Sequence, residues 1–336
     1  MRNDTRLAFN AYLTQLAALS GVAEANTMFT VAPSVQQKLE TKIQESSTFL
    51  SSINMIGVTE LKGDKLGLGV SGPVAGRTNT ATKDRATRDI TTMDSRGYEC
   101  SKTNFDTHIT YAKLDAWAKF PDFQARVRDA IVQRQALDRM LIGFHGVSPA
   151  AETDLAQNPL LQDVNRGWLQ ALREEAAARV MDHGKEAGKV TYGVNGDYEN
   201  LDALVFDAVM LLDPWFREDP NLRVFVSRDL MHDKLFPLVN QPKDPSEKIA
   251  ADLLISQKRL GGLQAVQAPF FPDGTVLVTS FSNLSIYFQE GARRRRVEDN
   301  PKRDRIENYE SSNDAYVVEE YGMAALVEKI EPKAAA

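Results

Sequence analysis

The sequence predicts an α+β protein, and three observations lead there. Residues 121–146 carry Phe123, Val127, Ile131, Leu137, Leu141 and Phe144 as one apolar stripe at helical spacing. Short strand-like runs such as LRVFVS, residues 222–227, punctuate the C-terminal half. The two signals alternate irregularly and without an internal repeat, as antiparallel strands mixed with helices do.

Taken in order, Phe9, Tyr12, Leu13, Leu16 and Leu19 share a face of a helix over residues 3–20, with Asp4 or Thr5 as N-cap and Gly21 as stop. VAEANTMFTVA, residues 22–32, has small residues and no period, and reads as a linker. A second helix is expected from Ser34, after Pro33, with Val35, Leu39 and Ile43 on one face. From Met55 roughly fifty glycine-rich residues follow with few large apolar side chains. Fixing a residue costs about 1 kcal/mol or more of backbone entropy, so this stretch reads as a long hairpin-like arm that needs a neighbour. The helix after Pro121 would be about 35 Å long, ending at Gly143 or Gly146. Helices over Val164–Met181 and Leu201–Leu212, the strand at 222–227 and a helical RDLMHDKLFPLV come next. Strands are expected around Ala265–Ala268, Val276–Thr279 and Leu284–Phe288, before the closing AYVVEEYGMAALVEKI.

Composition narrows the function classes. The 336 residues are 43% hydrophobic and 26% charged with a mean hydropathy of -0.35, unlike a disordered or membrane protein. No window approaches the roughly 18 uncharged apolar residues of a spanning helix. MRNDTRLAFNAYL has charges where a signal peptide has its apolar core, so residence in the cytoplasm is expected. Cys100 is the only cysteine, which excludes an intrachain disulfide and a multi-cysteine metal site; it reads as a small packed side chain. A net charge of -6 offers DNA no global attraction.

The short motifs do not assemble into a catalytic set. GLGVSG places Gly67, Gly69 and Gly72 at G-x-G-x-x-G spacing, but Pro73 and VAGRTNT follow instead of the helix that would hold a pyrophosphate. A glycine-rich turn or arm is the better account. His108, His145, His183 and His232 lie far apart with no partner at metal-ligand spacing. Neither G-x-S-x-G nor the P-loop pattern occurs. Asn283-Leu284-Ser285 matches the glycosylation sequon inside a strand, and Trp168, Trp215, Phe270 and Phe271 read as core. No catalytic, cofactor-binding or metal-binding residue is assigned, and no cofactor is implied. A cytoplasmic enzyme of unknown type stands as the alternative.

The run Arg293, Arg294, Arg295, Arg296 raises nucleic acid as a partner. Between residues 293 and 320, however, seven cations face eight anions, so a polyanion would meet carboxylates within a Debye length of about 8 Å. Interleaved blocks of both signs suit a solvated surface or a protein–protein contact better.

Several long blocks carry a resemblance: FTVAPSVQQKLETKIQESSTFL, GLGVSGPVAGRTNT, TNFDTHITYAKLDAWAKFPDFQARVRDAIVQRQALDRMLIGFHG, NPLLQDVNRGWLQ and NPKRDRIENYESSNDAYVVEEY. From residue 1 to about residue 331 the chain resembles the major capsid proteins of P2-like tailed bacteriophages. The resemblance implies the Hong Kong 97-type (HK97-like) capsid fold, with an N-terminal arm over 1–55 and an extended loop over 56–106. It further implies a peripheral domain over 107–200 with spine helix 121–144, an axial domain over 201–283, a return to the peripheral domain over 284–331, and a tail at 332–336. The implied function is that of a structural subunit of an icosahedral head. Copies would form pentamers and hexamers around an internal scaffold with protease activity, giving a procapsid that matures and encloses double-stranded DNA. A portal protein would occupy one vertex, and DNA would touch the shell only weakly. The resemblance places assembly in the host bacterial cytoplasm and the product in the virion. It implies loss of residues 1–29, with the cut expected near Phe29 and Thr30, ahead of Pro33. Gly67, Gly69 and Gly72, with Arg293 to Arg296, are then expected at subunit contacts.

Overall fold

The computed structural model describes residues 1–64, 68–70, 75–87, 91–93, 97–117, 123–240 and 258–333. Helix α1 (Asn3–Ser20) ends where Gly21 adopts φ 66°, the left-handed position that glycine takes without a Cβ clash. Helix α2 (Pro33–Glu45) opens on proline, whose missing N–H is not needed in a first turn. After α3 (Tyr111–Trp117) comes the long α4 (Phe123–His145); Pro121, expected near its start, lies outside the described residues.

The central element is a 14-residue strand, Arg305–Val318. It pairs antiparallel with Arg294–Asn300, Leu284–Gln289, Ser101–Asn104 and Thr107–Thr110. Asn54–Val58 joins this sheet parallel to Leu284–Gln289, and Phe29–Thr30 pairs with Arg294 and Arg295. Sequence periodicity missed residues 305–314 of the long strand, because Glu307, Glu310 and Asp314 sit where an apolar residue would have announced it.

A second sheet runs in the order Arg259–Leu260, Leu263–Val266, Arg223–Val226, Val276–Thr279, Ala325–Val327, Val180–Met181. Helix α5 (Trp168–Glu175) is shorter than the helix expected over 164–181. A 3₁₀ turn at Ala177–Arg179 swings Val180 into register with Leu326, so strand pairing overrides the alanine-rich helical propensity. Ala325–Val327, close to the C-terminal end of the described residues, pairs with Val276–Val278 inside this second sheet. Helix α6 (Leu201–Met210), with Asn200 capping the N–H of Ala203, covers the second sheet with Leu201, Leu204, Val205 and Ala208. Helix α7 (Arg228–Asn240) follows the strand at 223–226 and places Leu230 and Met231 in the same core.

The largest core lies between α4, α5 and the first sheet, around Phe49, Phe144, Trp168, Phe225 and Tyr316. A smaller one lies under α1, where Phe9 meets Leu114, Val127, Val297 and Ile306. Leu19, expected on the covered face of α1, is 63% exposed. Two antiparallel ladders, Lys62–Asp64 with Gly97–Glu99 and Leu68–Val70 with Thr91–Met93, extend from the first sheet as one hairpin, and residues 75–87 beyond them are all exposed.

Candidate assembly surfaces and a buried charge node

Gln135 and Arg139 are one turn apart on α4, and both point inward. Glu310, Ser312 and Asp314 alternate along the central strand and so share one face of it. Glu40 comes from α2 and Arg293 from the residue before the strand at 294–300. These seven side chains meet in a buried node; Arg139 and Arg293 are each 0% exposed. The Arg293 Nη1 donates to Glu40 Oε1 at 2.6 Å, and its Nη2 lies 2.7 Å from Glu310 Oε1. The Arg139 guanidinium spans Glu40 and, at 3.0 Å, Asp314. Gln135 donates to Glu310 Oε2 at 2.9 Å and accepts from Arg293 at 2.8 Å, while Ser312 donates to Asp314 at 3.0 Å.

Two guanidiniums thus face three carboxylates. Burial disfavours the charge of Glu310, yet Arg293 and then Arg295 outweigh it and hold the carboxyl down to about 2. Glu40 is lowered too, because Arg139 and Arg293 together exceed its burial penalty. Asp314 is the excess carboxylate: burial pushes it up, Arg139 relieves this only partly, and Glu40 pushes further. A carboxyl lowered on folding contributes stability that is full above its unfolded value, about 4.3 for glutamate, and lost as pH falls through its folded value. Asp314 has the opposite sign: its contribution is present below about 3.9 and lost as pH rises through its raised folded value. Thermal melts are therefore expected to fall from about pH 4.3 toward about pH 2, and in Glu310→Gln the slope should be shallower by about one proton. An unchanged slope in that variant would remove Glu310 from the node's titration.

The arginine run divides. Arg293, expected at a subunit contact, is committed to the interior of its own subunit, where three acceptors replace its water. Arg294 is exposed, opposite Thr30 and Ser311. Arg295 donates to Asn308 Oδ1 at 2.9 Å and to the Tyr12 hydroxyl at 3.0 Å. Arg296 donates to the Asn26 carbonyl at 2.9 Å and pairs with Glu298 at 2.8 Å. Around the expected cut, Phe29 is buried and Thr30 exposed, and the two oppose Arg295 and Arg294. Gly69 lies opposite Thr92 in the hairpin; Gly67 and Gly72 lie outside the described residues.

Other residues singled out by sequence fall as follows. Cys100 is buried, and burial, with Asp314 adding to it, pushes its thiol up to about 12. Asn283, 3% exposed, spends its amide on Thr279 Oγ1 and the Glu320 carbonyl, both at 2.9 Å. Among the described residues no three His, Cys, Asp or Glu side chains are placed to hold a metal, and no described helix is long and apolar enough to cross a membrane. Trp168 and Phe271 are core, but Trp215 is 60% and Phe270 41% exposed. Trp215 sits just beyond α6, whose Phe206 and Met210 also point outward, and Phe270 holds φ 61° in a turn whose carbonyl accepts from His145. The signal was available: α6 is apolar nearly all round, which a helix with only one covered face does not need.

Comparison with known proteins agrees with this architecture. A profile described as phage major capsid protein, P2 family, matches residues 8–330. The capsid protein of Escherichia phage P2 is 50% identical over 98% of this chain and 95% of that protein. The major capsid protein of Serratia phage KSP20 is 40% identical over 98% and 97%. Among solved structures, a chain of the satellite phage P4 procapsid that includes the size determination (Sid) protein superposes with a TM-score of 0.81 at 47% identity, covering 99% of each chain. A capsid chain of an empty GTA particle shares the fold at a TM-score of 0.53 and 17% identity, over 85% and 90%. The fold is HK97-like, the relatives are structural capsid proteins, and this chain belongs to the P2 family of phage major capsid proteins.

Proposed function

We propose that copies of this chain close into pentamers and hexamers around an internal scaffold with protease activity, forming a procapsid that matures and encloses double-stranded DNA. A portal protein occupies one vertex, assembly takes place in the host cytoplasm, and the genome touches the shell only weakly, as a net charge of -6 favours. The observation that carries this reading is the hairpin arm: residues 75–87 are all exposed in the single subunit. A neighbour's surface supplies the cover they lack; Gly69 lies on that arm, and Gly67 and Gly72 stand with it as candidate contacts from the sequence alone. Arg294, Arg295 and Arg296 remain candidates for a subunit contact, and Phe29 and Thr30 for the maturation cut.

Co-expression with the phage's scaffold, followed by negative-stain electron microscopy, tests the reading. Closed shells or rings are expected, and only small soluble oligomers beside an intact scaffold would overturn it. Replacing Arg294, Arg295 and Arg296 by serine, with Arg293 kept, should impair shell formation more than DNA retention in completed heads. Normal shells that leak DNA would contradict this.

The exposed Phe206, Met210 and Trp215 belong to the proposed axial region, where copies meet around a capsomer centre. Phe206→Ser with Trp215→Ser should leave subunit stability within about 0.5 kcal/mol, as exposed positions do, while ring formation is lost. Rings of normal yield would remove this patch from the assembly contacts.

A further inference from the structure

The N-terminal segment is bound to its own subunit in the manner of a ligand. Its helix lays Phe9, 4% exposed, with Tyr12, Leu13 and Leu16 into a groove lined by Leu114, Val127, Ile131, Val297 and Ile306. Its following residues add to the sheet: Val297 N–H donates to the Ala25 carbonyl at 3.0 Å, Phe29 opposes Arg295, and Val31 N–H donates to the Arg293 carbonyl at 2.9 Å. Polar bonds fix the start and the middle of the helix, Arg2 N–H to Asp115 at 2.9 Å and Arg6 to Asp299 at 3.0 Å near its start, and Arg295 to Tyr12 at its midpoint. Helix-in-groove docking and strand addition are the two modes by which proteins hold separate peptides, and this segment uses both at once. Between them, residues 26–28 are exposed.

The geometry points to residues 1–29 remaining on the subunit as a non-covalent peptide after the chain is cut, with Arg295 and Arg296 as the clamp that retains it. Cutting and leaving are then separate events. Hydrolysis of one peptide bond, by addition of water, breaks none of the contacts named above. The peptide departs only when the strand at 294–300 is pulled out of register or its groove deforms. Two side chains of the run hold the segment, Arg295 through Tyr12 and Arg296 through the Asn26 carbonyl, and the Arg295 backbone opposes Phe29. The inference rests on the proposed maturation only for the natural agent of the cut; the seam itself stands without it.

A recognition site for a sequence-specific protease, inserted between Thr27 and Met28 of the full-length chain, separates the two questions. After complete digestion and gel filtration at micromolar concentration, the peptide 1–27 is expected to co-elute with the body. Phe9→Ala with Arg295→Ala in the same background should speed its loss by at least about 30-fold, since truncating one buried phenylalanine alone is worth more than that factor. Immediate separation of the unsubstituted peptide would overturn the proposal. Should the insertion spoil folding, a synthetic peptide 1–27 titrated onto a chain beginning at Met28 gives the same decision: saturable binding weakened by Phe9→Ala supports it, and absence of binding refutes it. Neither experiment uses the phage protease, so failure of the maturation reading would leave these outcomes unchanged.

Discussion

Arg139→Met is expected to destabilise the subunit by about 3–5 kcal/mol, the usual cost of removing one partner from a buried ion network. The substitution keeps most of the side chain's volume but leaves Asp314 without a cation and Glu40 with Arg293 alone. Both carboxylates are under 4% exposed, so water does not replace the lost partner. Asp314, already pushed up by burial, would take up a proton first. Urea unfolding of the purified subunit measures the effect, with Arg294→Ser as control; that exposed position should move stability by no more than about 0.5 kcal/mol. A loss below about 1 kcal/mol for Arg139→Met would mean that the node is hydrated in solution. Replacing Glu40, Arg139 and Asp314 together by apolar residues of similar size should recover part of the loss, because the three desolvation penalties vanish with the charges.

Trp168→Ala should cost about 3–5 kcal/mol, as large aromatic truncations in cores do. The indole is 0% exposed, donates from Nε1 to the Ser285 carbonyl at 2.9 Å, and meets Phe144 and Tyr316 edge-on, with centroids 5.4 Å apart in both pairs. It lies against α4 at Gly143, where an added Cβ would come within 2.7 Å of three ring carbons. Gly143→Ala alone is therefore expected to be destabilising by about 1–3 kcal/mol through overpacking. In the double variant the methyl enters the space that the indole vacates, so the combined loss should fall short of the sum by about 1 kcal/mol or more. Strict additivity would show that α4 and α5 separate instead of holding their spacing.

Helix content was legible wherever an apolar stripe faced a core. The α4 stripe through Val127, Leu141 and Phe144 is buried as the spacing predicts, and the helix spans Phe123–His145. What the sequence hid is polar burial. Periodicity treats Gln135, Arg139 and Glu40 as outward-facing residues, because nothing local indicates that Arg293, Glu310 and Asp314, more than 150 residues away along the chain, will satisfy them. The same blindness made Arg293 to Arg296 look like one surface patch; strand alternation and the N-terminal segment sort them into different roles. The family resemblance rested on long ordered blocks, and these carried information that no single motif held.

The strand Arg305–Val318 has a mechanical consequence. Fourteen residues at about 3.3 Å each make a rod of roughly 46 Å, and its ladder bonds lie across its axis. A tension applied along that axis loads the bonds in shear, many at once, whereas a pull across a short hairpin unzips them one by one. A shell that is stretched tangentially when its contents press outward benefits from such a tie, provided the rod lies in the plane of the wall.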